Sequence, residues 1–330
     1  MKKKQETESE DIKSLIKQSR PNISNSSINT YISSLTYLYK KTENKDDFNS
    51  LKFLFDFDGI FKILKDINIT TRKTRLTSIV VALKALPKSD KTDKLIEKYT
   101  AIMDKVAEEY NNFIKTQTKT KRQSDNWVEV EDIDKVTNRL FNRIEEKELR
   151  NKSELSKKDY GLLQEYVVLR LYSSYPIRND FATTLYLSQK EYIKLKDKTK
   201  ENYIVNDGSK YTIYLNKYKN SKFLGNRKYE VDKKLTKVLD IWFKFNKSKY
   251  LLTKTDRERM LGSNSLTKLL TKIFERELNK EISTSVMRHI RGTEENKGET
   301  TILEEEKKEE EIKQKYLHSS EMNKKYAKIK

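Results

Sequence analysis

Two residues near the C-terminal end of this chain have types and spacing that could do chemistry: His318 and, eight positions later, Tyr326. A phenol with its ordinary pKa of about 10 is a weak nucleophile. It becomes a strong one only beside cations or a base that favour the phenolate. The chain has cations in excess, with 70 Lys and Arg against 50 Asp and Glu for a net charge of +20. Such a surplus selects polyanionic partners, nucleic acid foremost. A His and a Tyr one short helix apart in so basic a chain predict a phosphodiester site with a tyrosine nucleophile. The abundant Lys, Asn, Ile and Tyr also fit an AT-rich coding sequence, so charge by itself is modest support.

The remaining sequence must position these groups, and its 330 residues suffice for two domains. With no Cys and only two His, disulfides and thiolate zinc sites are excluded and a His-based metal cluster is improbable. No metal and no cofactor are expected. The charged start, Met1-Lys2-Lys3-Lys4, lacks the apolar core of a signal peptide, and the apolar run Ile79–Leu86 is broken by Lys84. That run is far too short to span a bilayer. A soluble intracellular protein with no membrane partner is the expectation.

Residues 1–10 are expected to form a disordered tail. Residues 11–114 read as helix after helix. Ile28, Tyr31, Ile32, Leu35, Leu38 and Tyr39 recur at helical spacing behind Ser26 and Ser27, either of which can cap. Further helices are expected over Asp58–Ile67, over Thr71–Leu86 before Pro87, and over Asp90–Lys115. Arg72, Lys73 and Arg75 crowd the first turn of the third helix, where cations oppose the helix dipole. Each alone reads as a solvated surface cation; together they suit a helix end aimed at phosphates. Residues 115–125 have no apolar period and read as a basic linker, with Lys119, Lys121 and Arg122 able to follow a nucleic-acid backbone.

Residues 126–330 form the second expected domain. Helices are predicted over Val130–Glu148 and Lys157–Ser173, then a break at Tyr175-Pro176-Ile177-Arg178-Asn179-Asp180, then a helix from about Phe181. An arginine just ahead of a helix start breaks a local rule, as a residue kept for an anion would. A surface Arg178 paired with Asp180 explains it equally well. Tyr211, Ile213 and Leu215 alternate with polar positions, and Arg227–Val231 follows a turn, so an antiparallel hairpin is predicted with Lys217, Lys219 and Lys222 near its tip. Helices return over Lys233–Asn246, Ser263–Leu278 and from Thr284. Residues 294–311 hold nine Glu against three Lys and read as a solvated helix or loop.

In order along the chain stand Arg178, a hairpin lysine, Arg288 beside His289, then His318 and Tyr326. This series resembles the tyrosine recombinase (phage integrase) family, whose signature runs Arg, Lys, His-x-x-Arg, His, Tyr. Pro176-Ile177-Arg178-Asn179-Asp180, Tyr218-Lys219-Asn220 and His318-Ser319-Ser320 are most similar to the divergent integrases of large DNA viruses of protists and their virophages. The resemblance implies a mainly α protein with a small antiparallel β-sheet, a helical core-binding domain ahead of a catalytic domain, and a clamp around double-stranded DNA. It implies that Tyr326 attacks the scissile phosphate to form a 3′-phosphotyrosyl bond. Arg178 and Arg288 would hold the non-bridging oxygens, Lys219 would protonate the departing 5′-oxygen, and His318 would assist. Self-association on DNA, from dimer to tetramer, is also implied.

This chain departs from the family pattern in three places. Ser285 stands where the signature has its first His, three residues before Arg288, with His289 as a partial substitute and Arg291 one turn further on. The signature arginine is Arg288 or, one turn along, Arg291. Only four residues follow Tyr326, which leaves no room for the C-terminal docking helix of many relatives. Two other readings stay open: a type IB topoisomerase-like activity, and a catalytically inactive DNA-binding relative.

Overall fold

The computed structural model describes residues 12–316, with side chains through residue 311. The expected tail at 1–10, His318 and Tyr326 lie outside the described residues. The chain is mainly helical with one small sheet, and it falls into two compact units divided between Thr118 and Lys119 and again between Glu299 and Thr300. No helix among the described residues is long and apolar enough to cross a membrane.

The first unit comprises α1 (12–19), α2 (Asn25–Glu43), α3 (Phe57–Lys65), α4 (Ile69–Lys84) and α5 (Asp90–Lys115). The starts of α2 to α5 carry a side-chain cap that satisfies an orphan amide: Ser24 accepts from Ser27, Asp56 from Gly59, Asn68 from Thr71 and Ser89 from Thr92. The cap of α2 is thus Ser24, one turn before the serines expected from the sequence. α4 buries Leu76 and the whole run Ile79–Leu83, because α2 and α5 cover it from two sides. Tyr99 of α5 fills the centre, its hydroxyl donating to the Leu54 carbonyl at 3.1 Å.

The second unit begins inside the expected linker. Residues Lys121–Asp125 form a short helix, α6, closed by a reciprocal Thr120–Gln123 capping box. Helices α7 (Val130–Glu146) and α8 (Lys157–Ser174) follow. The helix expected from Phe181 does not form. Asn179–Thr183 is a five-residue 3₁₀ turn that runs directly into strand β1 (Leu185–Ser188). After α9 (Gln189–Ile193) come β2 (Tyr203–Asn206) and β3 (Tyr211–Leu215), then the short helix α10 (Ser221–Leu224) and β4 (Arg227–Glu230).

The sheet order is β1-β2-β3-β4, and the sheet is mixed rather than antiparallel. β1 pairs parallel with β2, Leu185 opposite Tyr203, and the other two pairings are antiparallel. The chain therefore needs a crossover through α9 between β1 and β2. Tyr186 stacks on Phe243 of α11 (Lys233–Phe245) at 3.7 Å, and Tyr211 donates to Asp240 at 2.9 Å. α12 (Ser263–Leu278) and α13 (Thr284–Glu295) complete the unit.

The acidic stretch continues as α14 (Ile302–Tyr316), which groups with the first unit instead of with residues 126–299. It is tied to the end of α5, where Lys115 pairs with Glu306 at 2.8 Å and the Ile302 amide donates to Gln117 at 2.9 Å.

Candidate active site

The turn that carries Arg178 is fixed on several sides. The buried Tyr172 hydroxyl donates to the Arg178 carbonyl at 2.8 Å. Asn179 donates to Thr267 Oγ1 at 2.9 Å and to the Ser263 carbonyl at 3.2 Å, both on α12. Thr184 donates to the Asp180 carbonyl at 2.9 Å, and Phe181 and Ala182 are buried beneath the turn. A braced backbone at this point fixes where the exposed Arg178 side chain leaves the chain. The turn is too short to carry a helix dipole, so the expected anion site at a helix end has no basis here.

Arg288 stands on α13. Val286, Met287 and Ile290 bury one side of that helix, which leaves Arg288 half-buried at its border. Burial pulls the Arg288 pKa down, and the positive charge of Arg178 lowers it further, while Asp180 and Tyr172 oppose the shift. The charges of Arg178 and Arg288 therefore act against each other. Burial raises the Asp180 pKa, and Arg178 and Arg288 only partly offset that. Ser173 Oγ and Asn179 Oδ1, beside this turn, are buried without a hydrogen bond among the described residues. Two cations whose charges oppose each other are ones that an added anion would stabilise.

The two arginines of α13 have different surroundings. Arg291, one turn beyond Arg288, is drawn to Asp134 of α7 at 3.4 Å, whereas Arg288 shares its surroundings with Arg178. Ser285 and His289 are exposed on the same helix. Lys219 and Lys222 are exposed on the β3–β4 connection, and neither ammonium has an ion-pair partner among the described residues. Lys217 is engaged with Glu201 at 3.3 Å. Its ammonium is less available to an outside phosphate than its position near the tip implied.

Most of the other basic candidates also have protein partners. Arg72 donates through Nη2 to the Lys65 and Ile67 carbonyls, closing the end of α3. Lys73 lies over the Tyr110 ring at 4.4 Å and Arg75 over Tyr37 at 3.5 Å. Lys119 covers Trp127 at 3.8 Å, Arg122 stands 3.6 Å from Glu281, and Lys121 is exposed. Arg72→Ala is expected to lower the urea midpoint, because charge-assisted hydrogen bonds of this kind contribute about 1.5–3 kcal/mol. It should leave DNA affinity in filter binding within about twofold.

A cleft of about 640 Å³ lined by Leu155, Phe245, Tyr250 and Arg257 shares no residue with the arginine pair. Two of its four basic residues are turned onto protein oxygens, Lys244 to the Arg150 carbonyl at 2.7 Å and Arg257 to that of Leu155 at 2.6 Å. Neither a family model nor a curated protein matches the sequence.

The sequence reading missed a second charged cluster. Glu277, 4% exposed, accepts from Arg139 at 3.2 Å, from Arg143 at 2.6 and 3.2 Å and from Arg276 at 2.9 Å. Arg276 also grips Glu165 at 2.7 and 3.2 Å. This network joins α7, α8 and α12. Arg139 and Arg143 lie one helical turn apart, a spacing that puts both on one face, but nothing local points to their carboxylate partner.

Proposed function

We propose that this chain is a tyrosine recombinase-type enzyme that cleaves and rejoins duplex DNA for the integration of a viral or mobile genome. What supports the reading is that Arg178, on a turn braced by Tyr172 and Asn179, exerts its charge on Arg288 of α13, more than a hundred residues away in sequence. Two forked guanidinium groups suit a phosphate whose oxygens gain charge during displacement. The net charge of +20 supports a polyanionic substrate.

In this mechanism the Tyr326 oxygen attacks phosphorus, a P–O bond to the phenol forms, and the bond to the 5′-oxygen breaks. Arg178 and Arg288 hold the non-bridging oxygens. Lys219 gives a proton to the departing 5′-oxygen, with His318 assisting. The phosphotyrosyl bond conserves the energy for religation to a second 5′-hydroxyl. Asp180, beside both arginines, would hold the pair in place before DNA arrives.

The test is to incubate the full chain with a pool of nicked duplexes, denature with detergent and map any adduct by mass spectrometry. A nucleotide-bearing peptide containing Tyr326 is expected. Tight, salt-dependent binding with no adduct would support an inactive DNA-binding protein instead, as Ser285 in place of the signature His allows. An adduct together with relaxation of any supercoiled plasmid would support a topoisomerase.

A further inference from the structure

The connection between β3 and β4 is ordered and projects an apolar tip. Tyr218 donates to the Gly225 carbonyl at 2.6 Å, and the Gly225 amide returns to Ser221 at 2.9 Å, so the loop is closed at both ends. Gly225 holds φ +67 and ψ −170, a conformation open essentially to glycine alone. At the summit, Phe223 is 90% exposed and Leu224 50% exposed. An aromatic ring this exposed on a braced turn gains nothing from the fold.

The surrounding charge identifies the partner. Residues 216–229 contain five cations, Lys217, Lys219, Lys222, Arg227 and Lys228, and no Asp or Glu. Of these, Lys217 meets Glu201, and Lys222, Arg227 and Lys228 are exposed. An apolar wedge collared by cations matches a duplex, whose anionic rails flank stackable bases.

We infer that Phe223 is a base-stacking wedge: the basic tip enters a groove of duplex DNA and Phe223 inserts at a base step, opening it. The inference rests on the proposed function only for the identity of the polymer as DNA.

The experiment uses the full chain and a duplex carrying 2-aminopurine within a run of TA steps, which unstack easily. Wild type should raise the 2-aminopurine fluorescence severalfold. Phe223→Ala should abolish the rise and weaken binding about tenfold, within the range for losing one stacked base, with the salt dependence unchanged. Phe223→Trp should retain the rise. Lys222→Ala should instead lower the salt slope by about one and keep the rise. Because Phe223 is exposed, its variants should melt with wild type.

A Phe223→Ala protein that unstacks the duplex as wild type does overturns the inference. So does Phe223-dependent binding to phosphatidylserine vesicles without a fluorescence rise on DNA, or a shift to a smaller sedimenting species in Phe223→Ala. Adduct formation is measured separately. An adduct without the rise overturns the wedge alone, and the rise without an adduct overturns strand transfer alone.

Discussion

Arg288→Ala is expected to slow covalent adduct formation about 10²–10³-fold, the cost of removing one preorganised donor from a charge-stabilising site. It is also expected to leave the melting temperature unchanged or raised. The second outcome follows from the surroundings of Arg288: it is half-buried, and burial first and the charge of Arg178 second act against its positive charge. Removing it relieves a repulsion, and the Tyr172–Arg178 hydrogen bond that braces the turn does not involve it. A residue that gives up stability for activity behaves in this way. Arg288→Lys keeps the charge but loses the fork, so it should recover only part of the rate. Single-turnover adduct formation and thermal melting, run on the same preparations, check both halves. A melting temperature several degrees lower, with the rate falling only as the folded fraction falls, would make Arg288 a structural residue and remove the main support for the enzyme reading.

Glu277→Ala should act in the opposite sense, lowering stability by roughly 3 kcal/mol, the low end for removing one partner of a buried ion pair. Three guanidinium groups converge on this nearly buried carboxylate, and without it Arg139 and Arg143 repel each other with no anion between them. The low end applies because all three arginines keep solvent access. The pH dependence has a definite sign. Burial works against the Glu277 carboxylate, but hydrogen bonds and charge from Arg143 and Arg276 outweigh it, so its pKa is lowered in the fold. A carboxyl with a lowered folded pKa contributes stability that is fully present above its unfolded value of about 4.3. That stability is lost as pH falls through the lowered folded value. Urea unfolding at pH 7 and at pH 4 should therefore show a smaller acid-induced loss in Glu277→Gln than in wild type. Equal losses would mean that the network does not act on Glu277.

How much of this could be read in advance differs from element to element. The Asp90–Lys115 and Ser263–Leu278 helices were legible end to end, because a long apolar stripe and a capping or breaking residue mark both limits. β1 and β2 were not. Each has only four residues, and Tyr203, Ile204 and Val205 are all buried, so the alternation that signals a half-exposed strand is missing. One local signal for the second hairpin was present: Asp207-Gly208, where Gly208 takes φ +99 and Asp207 accepts from the Ser209 and Lys210 amides.

By itself the sequence determined composition, charge, helix periods and the order of the residues suited to phosphate chemistry, because those are properties of short windows or of the whole count. It also named Arg178 and Arg288. Its choice of Arg288 over Arg291 rested on the flanking Val286-Met287 and His289, because three positions along a helix leave both arginines on neighbouring ground. In the tertiary structure Arg291 pairs with Asp134, while the charge of Arg178 acts on Arg288. The tertiary structure also decided that Arg72 closes a helix end, that Lys217 meets Glu201, and that Glu277 gathers three arginines. In each case a charge finds its partner through chain segments that are remote in sequence and brought together only by burial of the apolar faces between them.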